Sequence, residues 1–309
     1  MREALAARLG TAALAVLAVL GVSTLVFLLI HLVPGDPVEV MLGEGASPAD
    51  RGALRAALGL DRPLVDQYLS YLGRLARLDL GTSLHDQRPV ADLIGERVVP
   101  TLELAAAALG LALFIAIPLG LLAAQHRGSP LDSGAMVFSL LGAAIPNFWL
   151  GPVLILVFSL WLGWTPVGGR EGWASLVLPA LTLGTGLAAI LARMVRASVL
   201  DVLNEDYVRT ARAKGLGPTA VLWRHALRNA WLPILTLAGL QLGALLGGAV
   251  ITETVFAWPG LGSLLVEAIS QRDYPVVQGC VLLISLTYVL INLATDVAYG
   301  VLDPRVHRG

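Results

Sequence analysis

Few stretches of this chain carry side chains that could do chemistry. The densest is DYVRTARAKGLG, Asp206 to Gly217, where Arg209, Arg212 and Lys214 fall within six residues and Lys214 is the only lysine. A second group, ITETVFAWPGLG, supplies Glu253, Thr254, Trp258, Pro259 and Gly260. No HExxH or GxSxG pattern supports hydrolysis, and no GxxxxGK[ST] loop supports nucleotide binding. The five histidines (31, 85, 126, 225, 307) lack ligand spacing, so no metal site is expected. Cys280 stands alone in an apolar run, which excludes a disulfide framework or a zinc cluster. What these residues can do is bind: a cationic surface at 206–217 and a polar, aromatic turn at 253–260.

The elements that must hold them are apolar. Of 309 residues, 56 % are hydrophobic and 14 % charged, against about 25 % charged in soluble domains. The chain therefore reads as an all-α integral membrane protein. A net charge of −1 gives no field for nucleic acid. Apolar runs long enough to cross roughly 30 Å of hydrocarbon predict six transmembrane helices near 9–31, 101–125, 134–162, 174–200, 229–252 and 277–301. The first is longer than a signal-peptide core and lacks a small-x-small cleavage site, so it reads as a retained helix. With both termini cytoplasmic, the inner segments hold Arg2, Arg8, Arg127, the Arg193–Arg228 cluster, Arg305 and Arg308. The two short outer loops hold only Arg170 and Arg272. This is the positive-inside arrangement.

The chain then divides into three parts: 1–31, the N-terminus and first helix; 32–99, a helical extracytoplasmic insertion; and 100–309, a five-helix core with a cytoplasmic loop at 201–228. In the insertion, SPADRGALRAALGL predicts a helix with Ser47 as N-cap, Pro48 at its first position and Gly59 closing it. RPLVDQYLSYLGRLARLDLG predicts a second. The pair reads as an outer lid or as a passive spacer. In the 201–228 loop, NEDYVRTARAKG predicts a short helix with Asn204 as N-cap and Gly215 as C′ stop. Tyr207, Ala211 and Lys214 share one face, where the small Ala211 allows close approach. The helix is either a docking surface or a basic loop that fixes topology.

The path through the membrane is less legible. Gly239, Gly243, Gly247 and Gly248 permit close helix packing or an unobstructed pore. Gln241 either lines the path or bonds between helices. AWPGLGSLLVEAISQRDYP predicts a turn and an amphipathic helix, an outer gate or an interfacial segment. The outer-gate set is Glu253, Thr254, Trp258, Pro259 and Gly260.

DYVRTARAKGLG followed by HALRNAWLPILT resembles the cytoplasmic signature loop of ABC-importer permeases, in the dipeptide/oligopeptide/nickel branch. HLVPGDPVEVMLG, ITETVFAWPGLGSLLVEAI, RDYPVVQG and the terminal LDPRV agree, so the resemblance runs almost end to end and is to the first, B-type, permease subunit. The general pattern of the superfamily is Glu-Ala-Ala and then Gly four residues on. The corresponding positions here are Arg209, Thr210, Ala211 and Gly215, of which only the second Ala and the Gly are kept, so Arg209 does not inherit the role of the glutamate. The resemblance implies a coupling helix, with Asp206, Tyr207, Arg209, Thr210, Ala211, Arg212, Lys214 and Gly215 docking on an ATPase subunit. It implies a second homologous permease subunit, two ATPase subunits that bind ATP and Mg, and an extracytoplasmic substrate-binding protein. No cofactor is then expected on this chain. It also implies residence in a bacterial or archaeal cytoplasmic membrane. The solute most in keeping with it is a di- or oligopeptide. The rival is an ion-coupled secondary transporter, which would carry ionisable groups within the membrane. The central parts of the spans have none.

Overall fold

The computed structural model describes residues 16–28, 38, 42, 47–57 and 59–302. The expectations for both termini, including LDPRV, and for most of HLVPGDPVEVMLG lie outside these residues. Among the described residues the structure is helical, and the one β-bridge pairs Thr82 with Pro89. The helices are α1 (Val16–Leu28), α2 (Pro48–Ala57), α3 (Leu64–Leu75), α4 (Val90–Gln125), α5 (Pro130–Ala144), α6 (Asn147–Leu154), α7 (Ala174–Leu203), α8 (Asp206–Ala213), α9 (Leu227–Val255), α10 (Leu261–Ser270) and α11 (Tyr274–Leu302). Two compact units emerge: residues 1–99 with 260–289, and residues 100–259 with 290–309.

Among the described residues, three helices are continuous and apolar enough to cross a membrane: Val90–Gln125, Ala174–Leu203 and Tyr274–Thr295. The run expected as one span at 134–162 is instead broken. Pro130–Ala144 and Asn147–Trp161 bend by 97°. The cause is local. Pro146 has no N–H and disfavours helical backbone at the residue before it, and Ile145 is extended at φ −77°, ψ 120°. Beyond the bend α6 widens into a π turn over Ile155–Trp161. The fifth span is also bent, by 53° between Pro218–Leu245 and Ala249–Val255. Counting each bent pair as one span gives up to five, with α1 a shorter apolar helix.

In the first unit, Val90, Leu93 and Ile94 of α4 pack on Leu261, Leu264 and Ala268 of α10 and on Val276 and Cys280 of α11. Gly279 permits this contact, since a Cβ there would lie 2.7 Å from Val90 Cγ1. The insertion forms the two expected helices. Ser47 accepts from the Asp50 amide at 3.2 Å, and Gly59 (φ +68°) closes α2 in a Schellman motif, its amide donating to Ala56 O and the Leu60 amide to Arg55 O. Buried Asp273 ties the 83–85 turn to α11. It accepts from Ser83 Oγ at 2.5 Å and from the His85 amide at 3.3 Å.

In the second unit, α7 is the central helix, packing on α5, α6 and α9. Its small residues let backbones approach. Gly184 lies against the Ala108 carbonyl, and Gly120 of α4 lies against Val195 and the Ala192 carbonyl. In a lipid phase, where apolar burial between helices is not driven by water, such close van der Waals contact holds a bundle together. The outward residues are large and apolar, among them Phe114, Phe138 and Leu160. Trp161, Trp164 and Trp173 stand exposed on the 161–173 segment, as residues anchored at a headgroup layer do.

Candidate functional site

The basic helix forms where the sequence puts it. α8 runs Asp206–Ala213, and Gly215 sits at φ +83°, with its amide donating to Arg212 O. A β-carbon there would be strained by this left-handed backbone, which L-residues avoid. The N-cap differs by one residue. Glu205 is extended at the cap, while Asn204 ends α7, its Nδ2 donating to Leu200 O. Asparagine reaches back to a carbonyl there instead of forward to the new helix.

The two faces of α8 are clear. Val208 and Ala211 are buried against Val221, with Val202 and Leu203 beside them. The close approach that Ala211 allows is thus made within this chain. Asp206, Tyr207, Arg209, Thr210, Arg212, Lys214 and Gly215 are exposed. Arg209 lies 3.5 Å from Asp206 in a solvent-facing pair, a contact of little energetic weight. The helix therefore presents cations, a tyrosine and a hydroxyl outward while two apolar residues seat it.

At the other end of α9 the expected gate residues divide. Glu253 is fully buried and accepts from Thr101 Oγ1 at 2.7 Å. Trp258 is also buried, and its Nε1 donates to Pro100 O at 2.9 Å. Phe256 closes on Gly151, and the Phe256 carbonyl accepts from the Gly169 amide. These contacts fasten the end of α9 to α4 and to the 151–169 stretch. Thr254 is exposed, its hydroxyl turned back to Val250 O, and Pro259 is half-buried. Gly260 belongs to the first unit, where it begins α10, its amide donating to Ser263 Oγ.

Gln241 lies elsewhere. Twelve residues from Glu253, it is roughly 18 Å away along the helix. It lines a cleft of about 340 Å³ with Asn147, Pro146, Leu183, Leu187 and Ala244. The cleft opens at the α5–α6 break. Asn147 was not among the residues the sequence singled out. Its signal was Ile-Pro-Asn in the middle of an apolar run, since a proline break uncovers the side chain after it. Gly239 is a packing residue: a Cβ there would lie 2.8 Å from Thr295 Cγ2. A buried pair was also missed. Arg196 donates bidentately to Asp132, at 2.6 and 2.7 Å, and Asp132 also accepts from the Gly128 amide. Among the described residues no cluster of histidine, cysteine or carboxylate could hold a metal ion.

Long apolar helices, a largely apolar cleft with two amide side chains at a helix break and one seated basic surface helix make up a membrane-embedded transport component. Residues 116–308 match the family described as binding-protein-dependent transport system inner membrane component, and residues 1–105 match its N-terminal counterpart. The chain belongs to this family, the permease components of ABC importers. The chain is 46 % identical to the di/tripeptide transport system permease protein DppB of Pseudomonas aeruginosa, over 93 % of this chain and 94 % of that protein. It is also 46 % identical to the glutathione transport system permease protein GsiC of Escherichia coli K12, over 92 % and 93 %. The fold matches the MetNI methionine ABC transporter in inward-facing form, with TM-score 0.60 and 21 % identity, over 68 % of this chain and 96 % of that one. An amino acid ABC transporter solved with histidines gives TM-score 0.51 at 16 % identity, over 70 % and 94 %. The chain is thus a transport subunit and not itself an enzyme, with ATP hydrolysis residing in a partner. A substrate-binding protein is the other partner the family implies.

Proposed function

We propose that this chain forms half of the translocation path of an importer for short peptides. The observation that carries the solute is the end-to-end identity with permeases named for di/tripeptides and for glutathione, itself a tripeptide. In this reading α1, α4, α5 with α6, α7, α9 and α11 make six crossings with both termini cytoplasmic. A second, homologous permease completes the path, and two ATPase subunits bind ATP and Mg. Gln241 and Asn147 offer amide donors and acceptors to a peptide backbone at the helix break. Such groups orient a solute without the charge that would trap it. Glu253 and Trp258 anchor the outer end of α9, and Thr254, Pro259 and Gly260 lead on to α10. The membrane is the cytoplasmic membrane of a prokaryote.

α8 serves as the coupling helix. Its exposed Tyr207, Arg209, Thr210, Arg212 and Lys214 meet the ATPase, and Gly215 sets its angle. Reconstitution with the cognate ATPases, second permease and binding protein tests the whole. Dipeptide uptake should need ATP and survive collapse of ion gradients. Uptake driven by a proton or sodium gradient alone would return the chain to the secondary-transporter reading. In the same assembly Gly215→Asp should leave insertion intact and abolish the stimulation of hydrolysis by loaded binding protein. Normal stimulation would count against docking through α8. A lone cysteine at Thr210, in a Cys280→Ala background, should cross-link to the ATPase with a yield that changes on adding ATP.

A further inference from the structure

In the first unit, α3 has more apolar surface than its packing uses. Its packed side is set by two tyrosines. Tyr68 and Tyr71 lie on Phe27 of α1, with ring centroids 5.2 and 5.8 Å away, and the Tyr68 and Thr24 hydroxyls share a hydrogen bond of 2.6 Å. Val65, Leu69, Leu72 and Ala76 follow one another at i, i+4, i+7 and i+11, so they form a second stripe about a quarter-turn round from the tyrosines. This stripe is open. Val65 is 66 % exposed and Leu69 60 %, Ala76 is exposed, and Leu72 is half-buried. The remaining side is polar: Asp66, Ser70 and Arg74, with Arg77 just beyond the helix, all exposed.

The helix ends on a further open leucine. Leu78 takes a left-handed backbone (φ +59°), its amide donating to Leu75 O and the Asp79 amide to Arg74 O. Glycine is usual at that position, because a β-carbon is strained by such a backbone. Leu78 is also 86 % exposed. At that exposure, packing among the described residues does not account for a leucine, whereas a hydrocarbon surrounding does.

The depth of α3 is set by the helix it packs on. Thr24 and Phe27 belong to an apolar run in which no charged residue occurs between Arg8 and Asp36. Thr24 is four residues, roughly 6 Å, before the end of α1 at Leu28. An amphipathic helix resting in an interface sinks its apolar side about 5–10 Å into the boundary of headgroups and acyl chains. The contact with Thr24 holds α3 at that depth. Leu25 and Leu28 of α1 are exposed at the same level, so with α1 a crossing the open stripe continues a surface that faces acyl chains. The chemistry of the stripe agrees. Valine, leucine and alanine side chains offer no hydrogen bond and no aromatic ring, whereas protein interfaces are enriched in aromatic residues and arginine.

We propose that α3 is an interfacial helix. Val65, Leu69, Ala76 and Leu78 lie in the phospholipid of the leaflet where α1 ends, and Asp66, Ser70 and Arg74 turn to headgroups and water. α3 thereby fixes the insertion to the membrane surface, where a free lid would stand clear of it. The assignment rests on α1 crossing the membrane, as read above.

The test is spin labelling of single cysteines in a Cys280→Ala background, in the full assembly of permeases and ATPases in lipid nanodiscs, without binding protein. Two collision reagents are compared: molecular oxygen, which concentrates among acyl chains, and a nickel chelate, which stays in water. Each replaced side chain is exposed, so the face packed on α1 stays intact. The oxygen-to-nickel ratio at Val65→Cys, Leu69→Cys and Leu78→Cys should exceed that at Asp66→Cys and Arg77→Cys roughly tenfold, the contrast between an acyl boundary and water. Nickel reaching Val65→Cys and Leu69→Cys would overturn the proposal, since the stripe would then be wet. So would exclusion of both reagents, which would mean that another protein chain covers it. In cells, benzoylphenylalanine in place of Leu69 should photo-cross-link to phospholipid, and a protein adduct instead would count against the proposal. Leu17→Cys, on the exposed side of α1, separates the two readings. If Leu17→Cys is in lipid and Val65→Cys in water, the interfacial helix fails and the crossing stands. If Val65→Cys is in lipid and Leu17→Cys in water, the crossing fails and α3 still rests on the surface.

Discussion

Asp132 and Arg196 show what a single pair of side chains does in a bundle with so few charges. The carboxylate is 6 % exposed and the guanidinium 25 %, and they meet in a fork. Two parallel N–H···O bonds fix geometry as well as charge. Removing Arg196 leaves the Asp132 carboxylate with the Gly128 amide alone, which for a part-buried pair costs roughly 1–3 kcal/mol. Arg196→Ala should therefore lower the Tm sharply in detergent, while Arg196→Ala/Asp132→Ala should recover much of the loss. Equal melting of the single and double variants would show that the pair carries no such weight. Gly239 allows a second test at this scale. The Cβ of Gly239→Ala would overlap Thr295, whose hydroxyl is held by Ile291 O at 2.8 Å. Overpacking of this kind costs roughly 1–3 kcal/mol, and Thr295→Gly should relieve it in the double variant. Residues whose roles are set by neighbours in sequence, such as Ser47, Gly59 and Gly215, were legible beforehand. Asp132 and Arg196 were not, because at a separation of 64 positions the sequence carries no trace of the contact.

At the level of elements, glycine and proline made helix stops and starts legible in the sequence, but not which prolines bend the chain. Each of the apolar helices α4, α7 and α9 has a proline inside it, yet the strong bends lie elsewhere, between Ala144 and Asn147 and between Leu245 and Ala249. At Pro146 the residue before the proline leaves the helix, whereas Pro118 and Pro179 stay within regular turns, supported by their neighbours. Hydropathy cannot separate these cases, so the 134–162 run reads as one span until the backbone is seen. The 83–85 turn gives the converse case. Its sequence is that of a loose polar loop, but Asp273 holds it from 190 residues away. Asp273→Ala should free the loop and also remove the carboxylate that faces the Val276 amide at the start of α11. Hydrogen exchange should rise at Ser83–Arg88, with exchange in α8 unchanged. Asp273→Asn keeps one acceptor oxygen and should show a smaller rise. No change in either variant would mean that the turn is held by its own bridge between Thr82 and Pro89.

For the whole molecule, what the sequence settles is the solvent: a chain this apolar must satisfy its backbone internally, and helices do so. The path was less legible, because Asn147 and Gln241 line one cleft only once the α5–α6 break has formed. The same break makes the topology a question of physics. A pair bent by 97° either crosses the membrane in two strokes or turns back to the side it left. The two cases differ in where the ends of the pair lie. If α5 and α6 cross, Arg127 before them and Glu171 after them are on opposite sides. If they re-enter, both are on one side. The three exposed tryptophans at 161–173 and the uncompensated Arg127 favour crossing, since aromatic residues mark an interface and cations stay inside. Single cysteines at Asp61, Arg127, Glu171 and Thr210, all exposed positions, decide it in a Cys280→Ala background. In intact cells a membrane-impermeant maleimide should label Asp61→Cys and Glu171→Cys. Arg127→Cys and Thr210→Cys should label only after permeabilisation. Protection of Glu171→Cys together with Arg127→Cys in intact cells, with Asp61→Cys still labelled, would make the pair a re-entrant loop. The count of crossings would then fall to five.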